Sequence, residues 1–365
     1  MNRIRKTIIN LCTMCLAAFA FASLSSCTNE DNDSGMASLR VSAFAYERPS
    51  VTRAATGYED FASVYSATPE TPLAMNYWIC LGTTFQVSQT ATYNGSTWTS
   101  YCNLESSATP YEFYSFMPGS IITNHGVSAT LNSSVSPAVM TFTGIPAVIG
   151  EDLIISEATT SGNLETTNPY DQIITSAEGQ AVTFRMQHVL AKLSFSFSNP
   201  TDKSFSDMRK IVVKKVQVVP PTSDSKHDVV CTMKKEGAIT YTWTPQTPGL
   251  TTDFFINDDT EFDITEDKKA KGYLVKTEAT EPFGSCYLVP FTGKTIKIRA
   301  IYDVYAHDGS LIRKDEISVN NNLKITNSTA VDAAKEYKIN VKIIPDYLYM
   351  LADVDAGTSL EIKTE

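Results

Sequence analysis

The chain has 365 residues, of which 42% are hydrophobic, and its 40 acidic and 30 basic side chains give a net charge of −10. This length and apolar content are enough for one large domain or two ordinary ones. Binding to nucleic acid or to an anionic membrane requires clustered Lys and Arg. The two short basic groups, Lys214-Lys215 and Lys268 to Lys271, lack interleaved aromatic residues. The composition therefore predicts a globular protein that binds no nucleic acid.

Residues 1–26 have the features of a cleavable export signal. A basic start with Arg3, Arg5 and Lys6 precedes an apolar run from Ile8 to Ala22. The run has about 15 residues, fewer than the ~20 that a membrane-spanning helix needs. We expect this signal peptide to be absent from the mature fold.

The string Leu24-Ser25-Ser26-Cys27 resembles a bacterial lipobox. The resemblance implies that Cys27 becomes the first residue and carries acyl chains such as palmitate. The alternative is an ordinary signal peptide with an incidental cysteine. Residues 27–35 are polar and acidic, which is typical of a solvated tether. Acidic residues behind a lipidated cysteine also resemble a surface-export signal of lipoproteins in the Bacteroides group.

Short alternating runs of apolar and polar residues recur along the rest of the chain and predict an all-β fold. The clearest run is Tyr337 to Ile344, where odd positions are apolar and even positions are largely polar. Further strands are expected at Val182 to Phe197, Ile211 to Val219, Cys286 to Phe291 and Thr295 to Tyr305. Turn signals separate these runs, namely Asn94-Gly95, Pro220-Pro221 and Asp308-Gly309.

A polar stretch from Thr160 to Gly179 predicts a domain boundary. We therefore expect two β-sandwich domains, residues 36–177 and 178–365.

Asn94-Gly95 favours a two-residue type I′ turn, which pairs Tyr93 with Ser96 and hence Val87 with Cys102. If the strand runs on unbroken, Cys80 lies about 23 Å from the partner of Cys102, at ~3.3 Å per residue. A disulfide between the two cysteines is then excluded by the ~7 Å limit on their separation.

The sequence leaves open whether Cys231 and Cys286 form a disulfide, because exported proteins can form disulfides. Buried free thiols are the main expectation for the cysteines that follow Cys27. No spacing of Cys and His indicates zinc.

The sequence contains no recognised catalytic pattern, so no enzyme activity, cofactor or metal site is expected. His188 lies in an apolar run, which is typical of a packed core or edge residue. Asp303, His307 and Asp308 lie around a predicted turn. Asp-Gly is a turn-forming sequence in its own right, so these residues do not indicate a metal site. The acidic run from Asn257 to Glu261 lacks the glycine and terminal glutamate of a calcium loop.

Several strings, taken in order, resemble the fimbrillin family of the Bacteroides group, including its Mfa-like lipoproteins. They cover most of the chain: Thr52-Arg53-Ala54, Tyr93-Asn94-Gly95-Ser96-Thr97-Trp98, Tyr111 to Pro118, Asp152-Leu153-Ile154, Phe184 to Leu193 and Cys286-Tyr287-Leu288-Val289-Pro290.

The resemblance implies two transthyretin-like β-sandwich domains and a structural subunit of a cell-surface fimbria. Such precursors are exported as lipoproteins to the outer membrane. An arginine-specific protease then removes the first strand of stalk subunits, and a strand from a neighbouring subunit fills the vacated groove. The implied partners are other fimbrial subunits, in a homo- or hetero-polymer, and the outer membrane through the lipid anchor.

The first strand is expected at Leu39 to Tyr46, before a loop that contains Arg48, Pro49 and Arg53. Cleavage between Arg53 and Ala54 would release that strand. Re-burial of four large side chains in the vacated groove would contribute about 6–12 kcal/mol before ordering costs.

The candidate donor strand is the tail after Pro345, with apolar residues at Leu348, Met350, Val354, Leu360 and Ile362. The alternative is that this tail closes its own domain as a terminal strand or hairpin.

A second function remains open, that of a lipid-anchored surface adhesin or glycan-binding lipoprotein that stays monomeric and meets a host or microbial receptor. Trp78, Trp98 and Trp243 would stack on sugars if they formed an exposed coplanar cluster, but such aromatic residues usually fill sandwich cores.

Overall fold

Strands make up most of the computed structural model. It describes residues 36–45, 67–82, 85–100, 103–105, 111–160, 171–172, 180–198, 209–219, 226–233, 239–246, 254–277, 282–292, 296–318, 321–323, 330–344, 347–354 and 358–361. Within these ranges one helix is present, α1 (Ser120–His125), and no helix there is long and apolar enough to cross a membrane. The all-β prediction is confirmed.

The strands up to residue 198 are β1 (Met36–Ala45), β2 (Leu73–Leu81), β3 (Phe85–Tyr93), β4 (Trp98–Thr99), β5 (Asn103–Glu105), β6 (Tyr111–Met117), β7 (Ser128–Asn132), β8 (Val139–Pro146), β9 (Val148–Ile149), β10 (Ile154–Thr160), β11 (Asp171–Gln172), β12 (Gln180–His188) and β13 (Ala191–Ser198).

The later strands are β14 (Arg209–Val219), β15 (Lys226–Thr232), β16 (Thr240–Pro245), β17 (Phe254–Asn257), β18 (Glu261–Thr265), β19 (Lys268–Lys271), β20 (Tyr273–Leu274), β21 (Gly284–Leu288), β22 (Phe291–Thr292), β23 (Ile296–Ala306), β24 (Leu311–Ile317), β25 (Asn321–Leu323), β26 (Ala330–Val331), β27 (Glu336–Ile344), β28 (Tyr347–Val354) and β29 (Thr358–Glu361).

The largest sheet has the order β4-β3-β2-β6-β10-β12-β1-β5, and β11 pairs with β6. Its central strand β6 is buried on both faces, which explains why its sequence is almost continuously apolar. Phe113 packs in one core on one side of the sheet, while Tyr114 and Phe116 pack in another. The aromatic strand that the sequence predicts before Pro118 therefore holds two cores together.

A second sheet, β16-β15-β8-β7, joins distant parts of the sequence. β15 pairs with β8 from His227 opposite Ile145 to Thr232 opposite Val139. The core shared with the largest sheet contains Phe142 from β8 and Cys231 from β15, both fully buried. Residues on both sides of the expected boundary at 177 and 178 thus build one core.

Two further sheets, β29-β28-β27-β13-β21-β9 and β17-β14-β23-β24, face each other across the third large core. β27 confirms the predicted alternation, because Tyr337, Ile339 and Val341 are buried and Lys338 is exposed. These two stacked sheets have the arrangement of a β-sandwich.

The run from Val182 to Phe197, expected as one strand, is two strands in two different sheets. β12 lies in the largest sheet and β13 lies in the sheet of β27, and only Val189 and Leu190 connect them. Both connecting residues are fully buried. The division into domains 36–177 and 178–365 stays a prediction, and the change of sheet comes about ten residues later.

The hairpin register predicted at Asn94-Gly95 is wrong. Tyr93 pairs with Trp98, so the loop has four residues instead of two. The Asn94 side chain accepts hydrogen bonds from the backbone N–H groups of Ser96 (3.0 Å) and Thr97 (2.9 Å), which stabilises the longer turn. Gly95 has a φ of +93°, and a Cβ there would overlap the carbonyl oxygen of Ala67.

The unbroken strand assumed between Cys80 and Val87 is also wrong, because the chain reverses after Leu81 and β2 pairs antiparallel with β3. Cys102 lies outside the described residues. Cys80, Cys231 and Cys286 are buried free thiols, which confirms the main expectation for these three.

The Asp308-Gly309 turn joins β23 to β24, as predicted, and β24 forms one edge of its sheet. Two register shifts interrupt its pairing with β23, and Asp315 has a φ of +53°. Most of the strand is solvent-exposed, including Ile317 at 57%. β24 is therefore a bent, charged edge strand.

Candidate assembly site

β1 lies between β12 and β5 and is separated from both by long stretches of sequence. It pairs in parallel with β12 over seven positions, from Leu39 opposite Gln180 to Ala45 opposite Met186. Its first three residues pair antiparallel with β5. Loss of β1 would leave one whole edge of β12 without backbone partners, a state prone to pairing with another strand.

The register between β1 and β12 determines which residues of β1 lie opposite the buried residues of β12. Val41, Ala43 and Ala45 are opposite Val182, Phe184 and Met186. All three of these β12 residues are buried. The contribution of about 6–12 kcal/mol from four large side chains in this groove stays a prediction.

The candidate donor strand pairs with its own chain. β28 is antiparallel to β27, with Val354 opposite Ile339 and Tyr347 opposite Ile344. β29 folds back on β28, so that Leu360 is opposite Ala352. Leu348 and Met350 also lie in β28. The tail thus forms a terminal hairpin at the edge of its sheet.

The remaining predicted site residues, Cys27, Arg53, Ala54 and Ile362, lie outside the described residues. Arg53 and Ala54 follow β1 within ten residues in the sequence, so the expected cleavage position is on the C-terminal side of this strand.

A buried pair of polar side chains lies beside the connection between the two large parts of the structure. Nδ1 of His188, the last residue of β12, is within hydrogen-bonding distance of Asp152 Oδ2. Asp152 is 0% exposed, and burial raises the pKa of its carboxyl while the neighbouring imidazole opposes that rise. The sequence predicts that His188 is a packed residue but does not indicate its partner. The only signal was that both are polar residues within apolar strings.

Two further charged residues adjoin this pair on the other side of the connection. Lys192 Nζ lies 3.3 Å from Glu336 Oε1, and Ser194 donates a 2.6 Å hydrogen bond to the same oxygen. Because Lys192 is in β13 and Glu336 is in β27, these contacts join the starts of two paired strands. We refer to Asp152, His188, Lys192 and Glu336 as the junction cluster.

Lys214, Lys268 and Lys269 have structural partners, consistent with strand and turn surface. Lys214 Nζ is 2.6 Å from Asp315 Oδ1, and this hydrogen bond raises the pKa of Lys214. The buried Asp303 accepts a 2.7 Å hydrogen bond from the backbone N–H of Asp315. This network holds the bend in β24. Lys268 Nζ donates to the carbonyl oxygen of Asp308 (2.8 Å) in the β23–β24 turn.

The three tryptophans do not form one aromatic surface. Trp78 is buried against Phe116, and Trp243 packs on the same core. Trp98 packs on the other core of the large sheet and lies 5.2 Å from Tyr93 between ring centroids. This arrangement matches the expectation that these side chains fill sandwich cores.

The described His, Cys, Asp and Glu side chains are the groups that could bind a metal ion or act as nucleophiles. Among the described residues, no three His, Cys, Asp or Glu side chains are placed to hold a metal ion. Burial raises the pKa of the Cys80 thiol to about 11, and it also raises the pKa values of Cys231 and Cys286. These thiols are protonated at neutral pH and therefore poor nucleophiles.

No protein-family model and no curated protein matches the chain. The solved structures to which the chain is similar include three from Bacteroides species. A fimbrial protein from Bacteroides vulgatus is 13% identical, with a TM-score of 0.49, and the match covers 91% of this chain and 99% of that one. A candidate cell adhesion protein from Bacteroides uniformis is 14% identical, with a TM-score of 0.41 and coverage of 91% and 98%. A candidate polysaccharide-binding protein from Bacteroides thetaiotaomicron is 10% identical, with a TM-score of 0.34 and coverage of 91% and 99%.

Proposed function

We propose that the chain is a structural subunit of a cell-surface fimbria, exported as a lipoprotein and assembled by donor-strand exchange. The observation that carries the proposal is the position of β1. It is the first described strand and is inserted between β12 and β5, and its removal would open an apolar, strand-wide groove in the largest sheet.

The groove would accept an extended segment of another subunit. Backbone groups along β12 would provide hydrogen bonds, and the row of Val182, Phe184 and Met186 would provide apolar contacts. The C-terminal tail is the donor in this proposal. It lies at a sheet edge and pairs only with β27 and itself among the described residues, so it can leave without breaking a central strand.

Arginine-protease treatment of the purified precursor should produce polymers that appear as heat-labile ladders on gels. Arg53→Ala should block ladder formation because β1 then stays covalently attached and fills the groove. Deletion of the residues after Pro345 should block it by removing the donor. Arg48→Ala is the matched control and should leave the ladders intact, because the following proline protects that bond. Ladders in both the Arg53 variant and the deletion variant would contradict the mechanism.

Cys27→Ala should abolish acylation and release the protein from the membrane fraction, since no other thiol lies at the expected cleavage position. Metabolic labelling with a fatty acid and fractionation of the cells measure both effects. Ser26→Ala keeps the thiol and serves as the control. In the wild-type protein, an acylated Cys27 at the N-terminus marks the anchored form and Ala54 marks the processed form. Normal membrane association of Cys27→Ala would contradict lipidation.

A further inference from the structure

The first described strand, β1, and the last strand before the C-terminal hairpin, β27, are each paired in parallel with an interior strand. β1 is parallel to β12 over seven positions, and β27 is parallel to β13 over seven positions, from Lys192 opposite Glu336 to Ser198 opposite Lys342. β12 and β13 follow one another in the sequence and are connected only by Val189 and Leu190. The two parallel pairs therefore lie in series along the chain.

Tension between the two ends of the chain would reach each pair at opposite ends of its strands. β1 is pulled at its N-terminal end, whereas β12 is pulled at its C-terminal end through β13. β13 is in turn pulled at its N-terminal end and β27 at its C-terminal end. In parallel strands these opposed pulls act along the strand axis, so all the hydrogen bonds of a pair must break together. Antiparallel strands in the same situation separate one bond at a time.

The packing of these strands also opposes sliding. Leu193, Phe195 and Phe197 of β13 and the alternate apolar residues of β27 face the same core. Because side chains alternate between the two faces of a sheet, a slip by one residue would turn these apolar rows towards the wrong face. Phe197 is held further by an edge-to-face contact with Phe283, at 5.2 Å between ring centroids.

The connection between the two pairs is itself fixed to both sides. The backbone N–H of Val189 donates to the Leu153 carbonyl oxygen, and the N–H of Ala334 donates to the Leu190 carbonyl oxygen, each at 2.9 Å. The junction cluster adds the Asp152–His188 and Lys192–Glu336 contacts at the same place. Force on the C-terminal end of β12 is therefore transmitted directly to β13.

We infer that this chain is a load-bearing element, in which the β1–β12 and β13–β27 pairs carry tension in shear between the two ends of the chain. For the anchored form, the load enters through the lipid-linked N-terminus. For the polymer the inference rests on the proposed function. The N-terminal end of a donor tail is joined to the subunit that provides the tail, so tension pulls the tail at that end. A tail parallel to β12 would therefore load β12 in shear, as β1 does.

The C-terminal hairpin should behave differently under the same pull. β28 and β29 are antiparallel to their neighbours, so force on the last residue opens them pair by pair. We expect them to peel at low force and to release residues 345–365, a length of roughly 70 Å when extended. β27 would then be loaded at its C-terminal end.

Single-molecule pulling on the monomer tests this inference without requiring polymerisation. The chain from residue 28 onward, carrying Cys102→Ser, is held by peptide tags at its two ends. In a second protein the C-terminal handle is moved to an exposed thiol introduced by Lys335→Cys, just before β27 begins. In that geometry β13 and β27 are both pulled at their N-terminal ends and unzip. The two proteins differ in the direction in which β27 is loaded and in the Lys335→Cys substitution, which removes the contact between Lys335 and Asp332.

We expect the pull between the two ends to show a low-force release of the tail, followed by rupture at a force severalfold higher than in the Lys335→Cys geometry. Equal rupture forces in the two geometries would overturn the inference, as would complete unfolding at the force that releases the tail. Because this experiment uses monomers and the ladder experiment measures strand exchange, either proposal can fail while the other stands.

Discussion

His188→Ala should lower the free energy of unfolding by about 3–5 kcal/mol at neutral pH, because it removes the imidazole that faces the buried carboxylate of Asp152. The loss should be smaller in acid. Burial raises the pKa of Asp152, and the substitution removes the imidazole, whose interaction with the carboxylate lowers this pKa. A carboxyl with a raised pKa binds its proton more tightly in the folded protein. Stability therefore falls as the pH rises from the unfolded value of about 3.9 through the folded value.

Urea denaturation at about pH 5 and about pH 8 measures this dependence. Asp152→Asn combined with His188→Ala is the matched control, because the amide cannot ionise and the pH dependence should largely disappear. A His188→Ala protein that is equally destabilised at both pH values would contradict the buried-charge explanation and leave only lost packing.

Phe142→Ala should also cost about 3–5 kcal/mol, since it removes a fully buried ring from the core that β6, β8 and β15 share. The ring makes an edge-to-face contact with Phe116, with 5.2 Å between centroids and 82° between planes. Because β15 comes from the later half of the sequence, we expect the whole chain to lose stability in one transition.

Phe255→Ala is the control for this prediction, because that ring is 42% exposed and its removal should change stability by less than about 0.5 kcal/mol. Denaturation followed by tryptophan fluorescence and by far-ultraviolet circular dichroism reports the transition. Two separate transitions, with only one affected by Phe142→Ala, would show that the two halves of the sequence fold independently.

Local patterns predicted the strands well where the signal itself is local. The alternation in β27 reflects one solvent-exposed face and one buried face. The turn at Asp308-Gly309 is stabilised by the Asp308 side chain, which accepts a hydrogen bond from the backbone N–H of Ser310. The burial of β6 on both faces likewise follows from its largely apolar sequence.

Which strands and side chains contact each other could not be predicted, because these contacts join residues far apart in the sequence. Nothing near Val189 reveals that β12 and β13 enter different sheets, since apolar residues alternate with other residues in both strands. The turn at Asn94 was predicted with two loop residues instead of four, because the Asn94 side chain accepts hydrogen bonds from Ser96 and Thr97 and stabilises the longer loop. The Asp152–His188 pair joins positions 36 residues apart and has no sequence pattern.

The bend in β24 bears on how copies of this chain behave when they are crowded on a surface. Between Ile312 and Ile317 the strand carries four consecutive charged residues, and the Asp303–Lys214–Asp315 network holds the backbone out of line at their centre. A straight neighbouring strand cannot match such an outline with regular hydrogen bonds. Copies standing side by side should therefore remain separate filaments or single molecules and should not fuse laterally through this edge.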